Sequence, residues 1–429
     1  MYAGLNVMDV SKYFCNVPWF EVHINADGTY HSCGAQPNRI SGTDFAQKYN
    51  VFNMSVQDWV NSEHQRNARL CKLQGVAEPL CEMCYHEDQL GSSSKRAKEN
   101  HKSGIDVINF YETFKSSNDF DKFKYSDQND GFTDVRPVSY HISLGNECNL
   151  ACRMCTPWAS SKIAVEMGKQ GLYSGPMRQN WTEDSAAWKS VTDYICSTKD
   201  LKFVHIIGGE PLLNPRFEEF VDLLITADLT DIYLGFTTNG TVFNRELLLK
   251  LNQFRHVDIG VSIECMGTLN DYIRRGSSTE TVLENLDRYL EYRQEGHVYV
   301  TVRPVPSALS VHTLDELYLW CIDRKLDVMT NMLVRPEFLQ IQNLPQDVKN
   351  RLLIQYKHWH YADPVTGDFN PRDPNQYRAH IDNEVKAIIK ALEQPGNPGK
   401  TKELYEKLAL WHWFNNEDIA KYFESIEYA

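Results

Sequence analysis

The sequence predicts an α/β protein: a partial (β/α)6 barrel of the TIM type, preceded by a small cysteine-rich α+β module and followed by a helical extension. Three observations support this prediction. Six β-rich segments alternate with helical ones over residues 136–345, which is typical of a parallel sheet covered by helices. Five of the 11 cysteines lie before residue 90, and residues 346–429 contain no β-rich run. We therefore predict three domains: 1–115, 136–345 and 346–429.

Length and composition indicate a globular chain in a reducing compartment. The 429 residues exceed one ordinary domain. No apolar run approaches the ~20 residues of a membrane span. The N-terminal sequence "MYAGLNVMDVSKYF" lacks the basic and apolar regions of a signal peptide. We therefore expect a cytoplasmic protein, in which thiols stay reduced and clustered cysteines bind metal more often than they bind each other.

The charge balance disfavours a nucleic-acid partner. The net charge is −13, whereas binding to nucleic acid depends on neutralising phosphates with Lys and Arg. One basic stretch, "SKRAKENHK" over Ser94–Lys102, is interpreted as a solvated helix face, with a local phosphate site as the alternative.

The N-terminal module contains two pairs of cysteines. "CNVPWFEVHINADGTYHSC" runs from Cys15 to Cys33, and its Asp27-Gly28 dipeptide predicts a β-hairpin that brings both thiols to one end. Cys81 and Cys84 supply a second close pair. Four ligands for one metal centre are thus available, and spacing alone favours zinc.

The strands of the barrel are predicted from runs of β-branched and aromatic residues. In chain order these are VSYHISLG, KFVHIIGGEP, DIYLGFTTNG, VDIGVSIE, VYVTVRPV and DVMTNML. Helices are predicted from about Trp158, over Arg216–Thr226, and near Arg245–Asn252, Thr279–Gln294 and Leu314–Arg324. Six such units in about 200 residues fit an incomplete barrel better than the full eight-fold one.

A loop of three cysteines follows the first predicted barrel strand. "GNECNLACRMCTPW" contains Cys148, Cys152 and Cys155, at the strand end where barrel active sites lie. Thiolates suit iron–sulfur clusters or zinc. A closed zinc site would need a fourth ligand, but Cys196 lies beyond the next predicted helix and His141 lies within the strand. A [4Fe–4S] cluster held by three cysteines would instead leave one iron open.

The C-terminal region is predicted to be helical and structural. "DVKNRLLIQYKHWHY" and "KTKELYEKLALWHWF" have helical spacing, and the turn-rich "PVTGDFNPRDPN" separates helices. His358 and His360 are two residues apart on a helix, so they point in different directions and make a poor metal pair. The aromatic residues are interpreted as core.

The cysteine loop and a second motif resemble the radical S-adenosylmethionine (radical SAM) superfamily. The spacing Cys-x3-Cys-x2-Cys matches the cysteine motif of these enzymes, and "GGEP" (Gly208–Pro211), 53 residues after Cys155, looks like their glycine-rich motif. The resemblance implies that SAM chelates the open iron through its amino and carboxylate groups. Its reductive cleavage would give methionine and a 5′-deoxyadenosyl radical that abstracts hydrogen from a substrate.

The resemblance also implies a SAM-binding set at the ends of successive strands. Glycines let the backbone approach the methionine end of SAM, and Glu210 can accept from its amino group. Ser262 and either Arg274 or Arg275 are expected at the SAM carboxylate or ribose. Cys265 is a candidate hydrogen-atom donor, with a buried small residue as the alternative. The implied cofactor-binding residues are Gly208, Gly209, Glu210, Thr238, Asn239, Ser262 and Arg274.

The N-terminal cysteines resemble the SPASM and twitch modules that carry auxiliary iron–sulfur clusters in this superfamily. The shared features are Cys-x12-Gly-x4-Cys and "CEMCYHEDQLGSSSKR". The chain departs from the family pattern because the module precedes the barrel and lacks the longer cysteine run of a two-cluster domain. The resemblance implies one auxiliary cluster, with Cys71 as an alternative ligand to one member of the set Cys15, Cys33, Cys81 and Cys84.

Three functions remain open from the sequence. Enzymes with this resemblance mostly modify peptides or proteins, with an electron donor such as flavodoxin or ferredoxin. The alternative is a small-molecule substrate: a sugar, nucleotide or amino-acid derivative. A non-catalytic iron–sulfur or zinc scaffold is the third. The chain shows no recognisable winged-helix domain for a leader peptide, which weakens the peptide hypothesis without removing it.

Overall fold

The computed structural model of the protein describes residues 12–34, 43–89, 94–106, 109–293, 297–361 and 374–411. The chain divides into two compact units. The first comprises Met1–Glu147, Arg178–Gly235 and Leu249–Arg255. The second comprises Cys148–Met177, Phe236–Leu248 and His256–Ala429. Within the described residues, no helix combines the length and the apolar character that a membrane span needs.

Eight strands form a mostly parallel sheet in the order β2-β1-β3-β4-β5-β6-β7-β8. Its strands are β1 (Glu21–Ile24), β2 (Tyr30–His31), β3 (Ser139–Ser143), β4 (Phe203–Ile207), β5 (Tyr233–Thr238), β6 (His256–Val261), β7 (Val298–Val302) and β8 (Asp327–Val328). Each of the six predicted barrel segments overlaps one of the strands β3 to β8. The predicted α/β fold class is confirmed.

The predicted hairpin forms β1 and β2 of the first unit. These strands pair antiparallel, with His23 opposite His31, and Gly28 takes a φ of 82° at the turn between them. We had assigned the hairpin to a separate N-terminal module, but β1 also pairs in parallel with β3, from Glu21 opposite Ser139 onward. Because all four residues of β1 are buried, this strand needs a neighbour on both edges. The domain boundaries at residues 115 and 136 remain a prediction.

Most helices of the first unit precede β3. They are α1 (Val17–Phe20), α2 (Asp44–Lys48), α3 (Val56–Val60), α4 (Glu63–Gln74), α5 (Glu82–Gln89), α6 (Lys95–Lys102), α7 (Phe110–Ser116) and α8 (Phe120–Gln128). Hydroxyl caps begin several of them: Ser62 accepts from the Gln65 backbone N–H in α4, and Ser94 accepts from that of Ala97 in α6. An aromatic cluster fills the space between α1, α4, α7 and α8, and consists of Phe14, Trp19, Leu73, Ile105, Phe110 and Phe123.

The later helices alternate with the strands, as predicted. They are α9 (Ser161–Lys169), α10 (Ser185–Cys196), α11 (Pro215–Thr226), α12 (Arg245–Leu251), α13 (Gly267–Ile273), α14 (Thr279–Glu291) and α15 (Leu314–Asp323). The C-terminal helices are α16 (Gln346–Tyr361), α17 (Pro374–Glu393) and α18 (Pro398–Leu410). Helices α16 and α17 pack together, and Leu352, Tyr356, Ile381 and Val385 on these helices are buried. The predicted turn-rich linker lies mostly outside the described residues, as does the His360 side chain.

The basic stretch Ser94–Lys102 is helical, but its cations do not all face solvent. Arg96 is buried, donates to the Phe14 carbonyl at 3.0 Å and pairs with Asp88. Lys95 pairs with the buried Glu21 at 2.8 Å. These two charges therefore stabilise the first unit, and the interpretation as a solvated face was wrong for them.

Arg69 of α4 joins several segments of the first unit. Its guanidinium is fully buried and donates to the carbonyls of Pro18, Val60 and Gly131 at 3.0, 2.9 and 2.6 Å, and to the Asn61 side chain at 3.0 Å. Each carbonyl would lose its partner if the guanidinium were removed.

We predict that Arg69→Met lowers the free energy of unfolding by about 3 kcal/mol, because several buried acceptors lose their donor together. Arg66→Met is the matched control, one helical turn earlier on α4. Arg66 pairs with the exposed Asp130, so its loss should cost less than about 1 kcal/mol. Urea denaturation followed by tryptophan fluorescence measures both. Equal losses for the two variants would show that Arg69 has no special structural role.

Candidate metal centres

The three-cysteine loop begins five residues after β3 and belongs to the second unit. Cys152 is buried, and Cys148 and Cys155 are partly buried. The thiol of Cys148 accepts from the Leu150 backbone N–H at 3.4 Å, and the Cys155 N–H donates to the Cys152 carbonyl at 3.0 Å. These contacts fold the loop so that the three thiols influence one another electrostatically.

Neighbouring segments hold this loop in place. Arg275 accepts from the Ala151 N–H through its carbonyl and donates to the Ala151 carbonyl through Nε, both at 2.9 Å. Asn239 donates to the Asn149 side chain at 2.8 Å and to Cys148 Sγ at 3.8 Å. The Ser160 hydroxyl, which caps α9, donates to the Leu150 carbonyl at 2.8 Å. The loop is therefore fixed by the protein itself.

Two thiols of this loop, those of Cys152 and Cys155, are hard to ionise without a metal. Burial raises the pKa of Cys155 to about 12, and the nearby Cys152 and Cys148 raise it further. Burial also raises the pKa of Cys152, while the charge of Arg274 opposes that shift. Metal binding requires thiolates, so loading of this site must release protons and is disfavoured at low pH.

The two adjacent arginines have different partners. Arg275 forms two bonds to Glu166, at 3.2 and 2.6 Å, in addition to its bonds with the loop backbone. Arg274 is buried and pairs with Glu264 at 2.6 Å. The Glu264 carboxylate also accepts from the Val305 N–H at 2.6 Å.

Of these two arginines, Arg274 keeps a buried donor available for a ligand. Its Nε is buried and has no hydrogen-bond partner within the described residues. Burial lowers the pKa of Arg274, but the neighbouring Cys152, Glu264 and Cys148 outweigh this effect and raise it. Of the two arginines that the sequence offers as ligand-binding residues, Arg274 therefore fits an anionic ligand beside the cysteine loop. The hydrogen bonds of Arg275 instead hold the loop in place.

The C-terminal extension reaches the cysteine loop through Trp411. Arg153 lies between Cys152 and Cys155, and its guanidinium stacks over the rings of Tyr272 and Trp411, 4.0 and 4.8 Å from their centroids. Trp411 directly follows α18. The residue that follows the last described helix thus contacts the loop.

The glycine-rich motif lies in the first unit, directly after β4. The Gly209 N–H donates to the Gly145 carbonyl and the Glu210 N–H to the Glu147 carbonyl, at 2.9 and 2.8 Å. A side chain at Gly209 would come within 2.1 Å of the Glu147 carbonyl oxygen, and Gly208 has a φ of 149°. Glycine is therefore required at both positions. The Glu210 carboxylate is buried and accepts from the Leu212 N–H at 3.1 Å.

The remaining candidates of the second unit lie at the ends of β5 and β6. Thr238 and Asn239 are buried, and the Ser262 N–H donates to the Thr238 carbonyl at 3.0 Å. Cys265 is fully buried. Their roles toward SAM or substrate stay predictions.

A second site forms in the first unit, where four cysteines from different segments line one pocket. Cys15 precedes α1, Cys33 follows β2, Cys81 ends a short 3-10 turn, and Cys84 lies on α5. The pocket has about 460 Å³ of empty space and is partly open to solvent. Cys71 is not among its lining residues. The structure thus brings together the four cysteines that the sequence analysis grouped.

Backbone contacts hold Cys15 at this pocket. The carbonyl of Phe14 accepts from Arg96 and from the Asn100 side chain, both at 3.0 Å, and the Asn16 N–H donates to the Asn100 side chain at 3.0 Å. Both neighbours of Cys15 are therefore fixed to α6. Burial raises the pKa of Cys15 to about 12 and that of Cys81 to about 11.

A buried lysine on α4 contacts the same pocket. Lys72 Nζ lies 3.1 Å from Cys81 Sγ, 3.0 Å from the Tyr85 hydroxyl and 3.2 Å from the Glu78 carboxylate. Lys72 is 1% exposed. Sequence analysis did not identify Lys72, Glu78, Arg153 or Trp411, because their roles depend on tertiary contacts that no local motif encodes.

Both cysteine groups fit iron–sulfur clusters by their donor chemistry. No disulfide joins any of the 11 cysteines, all of which are described. Within the described residues, no three His, Cys, Asp or Glu side chains converge as ligands of a single metal ion. A four-iron cluster places each thiolate on a different iron, so its cysteines need not converge on one point. Soft thiolates as the shared donors agree with such a cluster.

Comparison with known proteins identifies the region that contains the first of these sites. A family model described as "Radical SAM superfamily" matches residues 142–307, from within β3 to just beyond β7. A solved structure, Streptococcus suis SuiB bound to S-adenosylmethionine, is a distant likeness with 14% identity and a TM-score of 0.40. It covers 72% of this chain and 66% of that one.

Two curated proteins are similar over part of the chain. The tungsten-containing aldehyde ferredoxin oxidoreductase cofactor-modifying protein of Pyrococcus furiosus is 22% identical over 199 residues, 44% of this chain and 49% of that protein. Mycofactocin maturase MftC of Mycobacterium tuberculosis is 25% identical over 181 residues, 42% of this chain and 40% of that protein. The chain thus spans less than half the length of each of these relatives.

We predict strong energetic coupling between Arg274 and Glu264. Each single variant, Arg274→Met or Glu264→Leu, should lower the free energy of unfolding by about 3–5 kcal/mol, because it leaves one buried charge without its partner. The double variant should cost clearly less than the sum. Urea denaturation of the metal-free protein gives the coupling energy.

The matched control is the adjacent pair Arg275 and Glu166, whose side chains are 33% and 40% exposed. Its coupling energy from Arg275→Met and Glu166→Leu should stay below about 1 kcal/mol. Additive losses at Arg274 and Glu264 would contradict the buried ion pair as an interacting unit.

Proposed function

We propose that the protein is an enzyme that cleaves SAM reductively to start radical chemistry on a substrate, because residues 142–307 match the family model of the radical SAM superfamily. The observation that carries this proposal is the pre-formed loop of three thiols in the matched region. Three thiolates leave one iron of a [4Fe–4S] cluster open to SAM. When bound, this cluster supplies the electron for the cleavage.

The described residues support distinct tasks in the proposal. Cys148, Cys152 and Cys155 hold the cluster. Arg274, with its buried unpaired Nε beside these thiols, binds the carboxylate of SAM, and Glu264 keeps the guanidinium in position. Gly208, Gly209 and Glu210 bind the methionine end, as the resemblance implies. Thr238, Asn239 and Ser262 complete the SAM-binding set.

We further propose that the first unit holds one auxiliary iron–sulfur cluster, through Cys15, Cys33, Cys81 and Cys84. Their shared pocket supports this set, and the position of Cys71 outside the lining favours it over a set that includes Cys71. The ligands come from segments that are distant along the chain, so a bound cluster would link these segments and stabilise this part of the first unit.

The proposed substrate is a peptide or protein. Mycofactocin maturase MftC, which is similar to this chain over 181 residues, is a maturase by name. A small-molecule substrate is the second candidate, because the relative from Pyrococcus furiosus is a cofactor-modifying protein by name. The test is to incubate the reduced holoenzyme with SAM and candidate substrates of both classes and to analyse them by mass spectrometry. The candidate whose mass changes identifies the substrate class.

We predict that the anaerobically reconstituted protein, reduced with dithionite, converts SAM to 5′-deoxyadenosine. The triple variant of Cys148, Cys152 and Cys155 to Ala should lose this activity, because it cannot hold the SAM-binding cluster. Cys196→Ala is the matched control and should keep it, since Cys196 ends α10 and belongs to neither group. Chromatography measures the product. Undiminished product from the triple variant would exclude the proposed site.

We predict about eight iron atoms per chain in the reconstituted protein, four for each of two [4Fe–4S] clusters. Alanine at Cys15, Cys33, Cys81 or Cys84 should remove about half of the iron, because the auxiliary cluster loses a ligand. SAM cleavage should survive in these variants. Cys71→Ala serves as the control and should retain all the iron. Zinc in place of half of the iron, after anaerobic purification, would contradict the auxiliary cluster.

A further inference from the structure

We propose that Lys72 is a positioning residue that raises the reduction potential of the auxiliary cluster, and that Glu78 lowers this potential. This inference rests on the auxiliary cluster of the proposed function and deepens it. It assigns roles to two buried side chains that coordinate no metal. Lys72 is expected to favour the reduced cluster, and Glu78 is expected to oppose it.

The first observation is the direct contact between Lys72 and a cluster ligand. Its ammonium lies 3.1 Å from Cys81 Sγ, within the range of an N–H···S hydrogen bond. The side chain is almost completely buried, so water does not screen its charge. The same ammonium lies 3.0 Å from the Tyr85 hydroxyl, which fixes its position.

The second observation is that the Glu78 carboxylate lies close to both Lys72 and Cys81. Its carboxylate lies 3.2 Å from Lys72 Nζ and 3.5 Å from Cys81 Sγ, so the carboxylate and the sulfur share one lysine. In the metal-free protein, the Cys81 thiol donates to Glu78. A metal-bound thiolate has no proton to donate, so it and the carboxylate then compete for the ammonium of Lys72.

These charges act on the cluster in opposite directions. Reduction adds one negative charge to a cluster that thiolates already make anionic. A nearby cation and an N–H···S bond stabilise that added charge and raise the potential, whereas a nearby carboxylate destabilises it and lowers the potential. Hydrogen bonds to cluster sulfurs are a recognised means of setting the potential.

The other two cations of the pocket are less suited to this role. Lys95 is paired with Glu21 at 2.8 Å and also contacts His141. Arg96 is paired with Asp88 and with the Phe14 carbonyl. Lys72, by contrast, donates directly to the sulfur of a pocket cysteine, Cys81.

The experiment is a potentiometric titration of the reconstituted full-length protein, followed by electron paramagnetic resonance. The auxiliary signal is the one that persists in the triple Cys148, Cys152 and Cys155 to Ala variant. Lys72→Met should lower its midpoint by at least about 59 mV, which corresponds to a tenfold change in the ratio of reduced to oxidised cluster for one electron. Lys72→Arg, which keeps the charge, should restore most of this shift.

Glu78→Gln should shift the midpoint in the opposite direction, to a higher potential. This reversal separates the proposed role from a merely structural one, because a loosened pocket would not shift the potential with the sign of the removed charge. Lys349→Met is the matched control. Lys349 is a buried lysine of the second unit that donates to the Gln394 carbonyl, and its loss should leave the auxiliary midpoint unchanged.

The outcomes distinguish this inference from the proposed function. Absence of a second cluster in the wild-type protein would overturn the auxiliary cluster itself. A second cluster whose midpoint is the same in Lys72→Met and Lys349→Met would overturn the inference alone. If Lys72→Met fails to retain its iron, Glu78→Gln decides: an unchanged or lower midpoint would overturn the role of this pair.

Discussion

The parallel pairing of β1 with β3 is the constraint on which the first unit depends. It makes the cysteine-flanked hairpin part of the same sheet as the strand that leads to the three-cysteine loop. Cys33 therefore follows a strand whose register is fixed, while α1 and α6 fix Cys15 through the backbone on either side of it. Strand pairing and backbone hydrogen bonds thus position Cys33 and Cys15 at the pocket. The remaining ligands come from a helix start, where Cys81 and Cys84 are three residues apart and share one face.

Much of the fold could be predicted because its signals are local. The strand segments of the barrel are short runs of β-branched residues, and the hairpin has its Asp27-Gly28 turn. The cysteine loop was predictable for the same reason, since its three ligands lie within eight consecutive residues. The pairing of β1 with β3 could not be predicted, because more than 100 residues separate the two strands and nothing within either specifies its neighbour.

Sheet register also determines features that no single segment shows. His31, His23, His141 and His205 occupy neighbouring positions on β2, β1, β3 and β4, so they form a row on one face of the first unit. Each strand contributes one histidine, which alone indicates nothing. Burial lowers the pKa of His23 to about 4 and that of His31 to about 3, so both are neutral near pH 7. Neutral rings can lie side by side in the interior without mutual repulsion.

The two neighbouring arginines show why residue type and position do not determine a role. Arg274 and Arg275 follow the same helix, α13, and the sequence could not distinguish them. Their partners distinguish them. Arg275 donates to Glu166 and to the Ala151 carbonyl, whereas Arg274 pairs with Glu264 and its Nε stays unpaired. A buried donor without a partner is costly unless a ligand satisfies it. The same reasoning applies to Lys72, whose charge lies against a thiol. In both sites a buried cation is paired with an acidic side chain. Lys72 also contacts a cysteine sulfur, and Arg274 keeps an unpaired donor.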